Sequence, residues 1–160
     1  MAQSIKATVA GLKAACDAIY SGQIAPDGSP VLVTYGPPDT YMPAAMVAVG
    51  MDIRQPITRP TMGSARSRDK QAEIDVVINV WTGSGTEEGQ PLVSEKADDL
   101  AELLEAYFRA SGQETLGGGC MDSWVSNITG PKPDVTFDEN GAIAGRVAES
   151  IVTVTARIRQ

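Results

Sequence analysis

The chain contains no histidine. That absence removes the commonest general base, the Ser-His and Cys-His nucleophile pairs, and the usual transition-metal ligand. Its two cysteines, Cys16 and Cys120, stand far apart and neither belongs to a CxxC pair, so a zinc site or a disulfide framework has no support. Both are expected to be reduced and buried. Aromatic residues are scarce, with two Trp, four Tyr and two Phe, which argues against the aromatic platforms of a sugar-binding cleft. No apolar run approaches the ~18 residues of a membrane span, and Met1 to Lys6 lack the long apolar stretch of a signal peptide. The expectation is a protein made and kept in the cytosol, without a membrane partner. Positive charge is also in short supply. Thirteen Lys plus Arg face 20 Asp plus Glu, a net charge of -7, which opposes general binding to nucleic acid or anionic membrane. No GKS or GKT sequence marks a phosphate loop.

What is present describes a globular subunit. Hydrophobic residues make up 42% and charged residues 21% of 160, close to globular averages. A chain of this length fits one domain over 1–160, burying roughly 68–70% of the surface its unfolded form exposes.

From Ser4 to Tyr20 the residues Ile5, Val9, Leu12, Cys16 and Ile19 recur at steps of four and three, the spacing of a helix with one apolar stripe. Ser4 can cap it, and Gly22 can take the positive φ that follows its last turn. Val31–Tyr35 and Met46–Ile53 read as strands joined by a Pro-rich loop. Between Arg54 and Lys70 the hydrophobic pattern disappears, which predicts a long exposed loop or hairpin arm. Ile74, Val76, Ile78 and Val80 alternate with Asp75, Val77, Asn79 and Trp81, the period of a strand with one apolar face. Pro91 then opens a second helix on Val93, Ala97, Leu100, Leu104 and Tyr107, closed by Ser111 and Gly112. Met121–Ile128 and Val135–Phe137 read as two further strands, Asp138 to Gly141 as a hairpin turn, and Val147–Arg159 as a long last strand. The pattern predicts an α+β fold: two amphipathic helices packed on one face of a mainly antiparallel sheet, with an arm at 54–70.

Three groups of residues invite a functional reading. Gly83 to Gly89 follows a strand and precedes a helix, so it mimics a dinucleotide-binding turn. Glu87 and Glu88, however, put negative charge where a pyrophosphate belongs, and a flexible Gly-rich loop explains the sequence as well. Glu95, Asp98, Asp99, Glu102 and Glu105 fall on the second helix opposite its apolar stripe. They form either a solvated face or, in a ring of subunits, a lumen or interface surface that repels DNA. Arg54, Arg59, Arg66, Arg68 and Lys70 concentrate basic charge in the arm, with only Asp69 to offset them. They mark a mobile solvated loop, a docking arm for an acidic surface on a neighbouring subunit or the tube below, or, third, a contact to DNA phosphates. No catalytic, cofactor-binding or metal-binding residue is expected.

The order of elements resembles that of tail terminators and related neck proteins of long-tailed, siphovirus-type phages. The similar features are the N-terminal amphipathic helix, the strand and turn VLVTYGPPD, the segment AEIDVVINVWTGSG, the helix PLVSEKADDLAELLEAYFRA, and DVTFDENGAIAGRVAESIVTVTARI. The resemblance spans nearly the whole chain and is one of layout. It implies a structural virion protein assembled as a homohexameric ring at the head-proximal end of the tail tube. Such a ring ends tube polymerisation, meets the head-side connector or stopper protein, and lets DNA pass without sequence-specific binding. The resemblance carries no catalytic residues. Alternatives are a head-side stopper or tail-completion protein, a non-phage oligomeric adaptor, and a small nucleotide-binding enzyme using Gly83 to Gly89.

Overall fold

The computed structural model describes residues 3–39, 43–56, 69–110 and 112–159. In chain order these form α1 (Ile5–Tyr20), β1 (Leu32–Tyr35), β2 (Ala45–Arg54), β3 (Asp69–Thr82), α2 (Gly89–Arg109), a 3-10 turn (Leu116–Gly118), β4 (Asp122–Phe137) and β5 (Ile143–Arg159). The five strands make one sheet in the order β1-β2-β3-β5-β4. Only β1 and β2 pair in parallel; the other three ladders are antiparallel. The fold is α+β, as the periodicity predicts.

Both helices lie on one face because their apolar stripes and those of the strands share one core. Leu12, Cys16 and Tyr20 of α1 and Val93, Ala97, Leu100 and Leu104 of α2 are buried against Ile74, Val76, Ile78 and Val80 of β3 and Val152, Val154 and Ile158 of β5. Each Val, Leu or Ile side chain among them contributes about 1.5–3 kcal/mol by leaving water. The Tyr20 hydroxyl donates to the Leu100 carbonyl at 2.7 Å, which fixes α1 against α2. At the start of α1 the Ser4 hydroxyl accepts from the Ala7 N–H at 3.0 Å, the cap its position foretold. The helix ends at Tyr20, and Gly22 takes a φ of 81° just beyond.

Three boundaries differ from the sequence reading. Arg54 is the last residue of β2, and Asp69 and Lys70 already belong to β3, so the connection shrinks to 55–68. Strand pairing extends β2 and β3 past the point where apolar alternation stops, because the ladder needs only backbone groups. The strands expected over Met121–Ile128 and Val135–Phe137 are not separate: from Asp122 onward both belong to the continuous β4. Irregularities in its pairing with β5 accommodate Gly130 to Pro133. Pro131 and Pro133 are tolerated because β4 lies at the sheet edge, where among the described residues one side of the strand makes no ladder.

Both thiols are buried, at 0% and 1% exposure for Cys16 and Cys120. Burial pushes the Cys16 thiol up to about 12 and raises Cys120 as well. At neutral pH neither supplies a thiolate, the reactive species. The native protein should therefore react with a thiol reagent only as fast as it opens, and both cysteines should be titrated at once in denaturant. Immediate labelling of the native protein would contradict this packing.

Candidate interaction surfaces

The acidic stripe of α2 is where helical spacing places it. Glu95, Asp98, Asp99 and Glu102 are exposed, and Glu105 is half-buried and lies 3.7 Å from Arg109. Exposed pairs of this kind contribute at most about 0.5 kcal/mol, so the stripe is a surface of negative potential and not a stabilising network.

Arg54 has a role that its assignment to a loop concealed. From the end of β2 its guanidinium donates to both carboxylate oxygens of Asp75 at 2.9 Å, to Glu73 at 3.1 Å and to Asp52 at 2.7 Å. The Thr153 hydroxyl of β5 donates to the same Asp75 at 2.8 Å. One arginine thus ties β2 to β3, and Asp75 carries the tie on to β5. The Arg54 hydrogen bonds hold the Asp75 carboxyl below its usual range, with the Thr153 hydrogen bond adding to the effect against burial. Arg54 is raised by its three carboxylate partners. Arg54 is therefore committed within its own chain and is not a free docking charge. Asp52, Glu73, Asp75 and Thr153 were not singled out from sequence. The available signal was the alternation of β3, which puts Glu73 and Asp75 together on its polar face.

Arg59, Arg66 and Arg68 lie outside the described residues. Lys70 pairs with Ile158 in the β3–β5 ladder and borders a cleft at that end of the sheet with Lys6 and Arg159.

Two glycines of the Gly83 to Gly89 loop, Gly85 and Gly89, are required by close packing. A Cβ on Gly85 would lie 2.5 Å from the Ile143 carbonyl oxygen, and one on Gly89 would lie 2.9 Å from that of Ser84. The first amides of α2 are used internally: Gly89 N–H donates to Thr86 at 3.0 Å and Gln90 N–H to Glu87 at 3.1 Å. Arg146 reaches the loop from β5, its Nη2 at 3.5 Å from the Gly85 carbonyl. Its Nε is buried without a partner among the described residues. The arrangement anchors the loop on β5; it does not present a row of free amides to a phosphate.

The sheet face away from the helices carries Trp81 and Trp124, 38% and 40% exposed. Trp81 Nε1 donates weakly to the Thr136 hydroxyl at 3.4 Å, and Trp124 is paired with Thr155. Neither tryptophan is a core residue. The ladder aligns Thr34, Ala48, Val77, Ile151 and Thr129 in one row across all five strands of this face. The Arg54 cluster and the Asp122–Arg157 ion pair lie towards the arm end of the same face.

Among the described residues no group of three or more Cys, Asp or Glu side chains is arranged to hold a metal ion. Among them, also, no helix is long and apolar enough to cross a membrane. No protein-family model matches the chain, and no curated protein matches it.

Proposed function

We propose that this chain is a structural virion subunit that assembles with its own copies into a ring at the head-proximal end of a phage tail tube. There it ends tube polymerisation and joins the tail to the head-side connector. The observation that supports this most is the surface layout. Among the described residues one sheet face, with two half-exposed tryptophans and a row of Ala48, Val77 and Ile151 flanked by threonines, is left without a helix layer, and the acidic stripe of α2 points outward. Tryptophans so placed suit contacts between proteins. A closed head-to-tail ring needs two different complementary patches per subunit. The acidic stripe of α2 is one, and the basic sequence Arg59, Arg66 and Arg68 of the neighbouring copy is its counterpart.

Reversing Arg66 and Arg68 together to Glu is expected to abolish rings in negative-stain images while leaving circular dichroism and thermal unfolding unchanged. Unchanged rings would remove the arm from the mechanism. Wild-type rings that cap tubes and limit their length would establish the terminator role. Rings that ignore tubes would instead place the protein on the head side as a stopper or tail-completion protein. The nucleotide-enzyme reading is tested by thermal shift with a nucleotide panel, since a ligand at 100 times its Kd adds roughly 2.7 kcal/mol.

A further inference from the structure

The two ends of the long β4–β5 ribbon differ in chemistry. At the hairpin end Phe137 and Ile143 are paired and are 64% and 44% exposed. The turn beside them is held by Asp138, whose carboxylate accepts from the N–H groups of Asn140 and Ala142, both at 2.9 Å. Asp134, Asp138 and Glu139, all exposed and within three residues of Phe137, give this end of the ribbon negative charge. At the opposite end, where β5 finishes, lies a half-open cleft of about 350 Å³. Ile5, half-buried, gives it some apolar surface, Ile158 lies beneath it in the core, and Lys6, Lys70 and Arg159 border it with positive charge. None of these three cations makes an ion pair among the described residues.

We propose that the Phe137–Ile143 tip of one copy docks in the Lys6–Lys70–Arg159 cleft of a second copy. Three features of the molecule favour this occupant. The tip is apolar with an acidic rim and the cleft has a basic rim beside Ile5, so their charges are complementary. The cleft, about 350 Å³, is open to solvent, so an exposed side chain of another molecule has access to it. Ile143 and Ile158 stand at opposite ends of one extended strand, roughly 50 Å apart at about 3.3 Å per residue. A tip therefore cannot reach the cleft of its own chain, and the contact has to be between molecules. Knob and hole are different patches on one subunit, so the contact is heterologous and propagates until it closes into a ring or continues as a filament. It uses neither the arm nor the α2 stripe, and so stands or falls independently of those contacts.

The test is the mass of the full-length protein by sedimentation velocity over a concentration series, at low and high salt. Wild type is expected to self-associate, more weakly at high salt because the rims are exposed charges. Phe137→Ser, and separately Lys6→Glu with Lys70→Glu, should each weaken association about tenfold or more with unchanged circular dichroism, as loss of an anchor at an interface centre does. Combining Lys6→Glu with Glu139→Lys should restore part of it, a rescue that a merely misfolded variant cannot give. Wild type that remains monomeric at every concentration, or association indifferent to Phe137→Ser, overturns the proposal. So does a cleft that acts only as an anion site, recognised when inorganic phosphate raises the Tm of wild type but not of the double Lys variant while the mass of both stays the same. Loss of rings in the Arg66 and Arg68 variant, with the Phe137-dependent association intact, would show the two contacts to be separate.

Discussion

Gly119→Ala is expected to lower the unfolding free energy by at least about 3 kcal/mol, the upper part of the usual overpacking range, because the intruding atom meets backbone. A Cβ at this position would lie 2.6 Å from the Ala7 carbonyl oxygen, 2.7 Å from its carbon and 2.9 Å from the Thr8 nitrogen. Neither partner is the end of a flexible side chain that could swing aside. The same approach lets the buried Thr8 hydroxyl donate to the Gly119 carbonyl at 2.9 Å, so the substitution also disrupts a buried hydrogen bond. Gly11 makes the matching approach one turn further along α1, facing the Leu116 carbonyl. Against a total stability of about 5–15 kcal/mol, a Gly11→Ala, Gly119→Ala double variant should be largely unfolded near room temperature. Gly28→Ala is the control. It has open space around its Cβ position and a φ of 85°, so it should cost only about 1–2 kcal/mol. Urea midpoints measure all three. Equal shifts for Gly119 and Gly28 would mean that the close packing of the 3-10 turn on α1 is not a determinant of stability.

Arg54→Met should cost about 2 kcal/mol at neutral pH and should also change how the protein responds to acid. The substitution leaves Asp75, whose side chain is only 13% exposed, without its main counter-charge. Breaking a fully buried pair costs about 3–5 kcal/mol, but the Arg54 side chain is 41% exposed, so solvent screening reduces the figure. The sign of the pH effect follows from the depressed Asp75 carboxyl. Its contribution is fully present above the ordinary Asp value of about 3.9 and is lost as pH falls through the lower folded value. Wild type should hold its fold further below pH 4 than Arg54→Met, whose acid-unfolding midpoint moves upward. Asp75→Asn keeps a partner for Thr153 while removing the charge, so it should abolish the same pH dependence. Identical acid midpoints in wild type and Arg54→Met would show that the cluster adds nothing to stability.

The alternation of Ile74, Val76, Ile78 and Val80, and the four-and-three spacing of Val93, Ala97, Leu100 and Leu104, made β3 and α2 legible because burial on one face enforces a local period. Arg54 was misread for the converse reason. Its partners Glu73 and Asp75 lie about 20 residues away, and no local pattern marks a strand residue whose role is to gather carboxylates from its neighbour. The loop from Gly83 to Gly89 shows a related limit. Its glycines look the same whether backbone must approach a phosphate or the Ile143 carbonyl, and only the fold distinguishes the two.

The sequence by itself determined the α+β class, the two apolar helix stripes, the α1 cap at Ser4, the turn after Phe137 and the acidic face of α2, all consequences of periods and turn chemistry within a few residues. It also removed histidine chemistry outright. Only the tertiary structure decided the parallel pairing of β1 with β2, the continuity of β4, the commitment of Arg54 to Asp75, and the placement of an acidic apolar tip and a basic cleft at opposite ends of one ribbon. These depend on which distant segments become neighbours, and that is set by the packing of the whole core, to which no single stretch of chain holds the key.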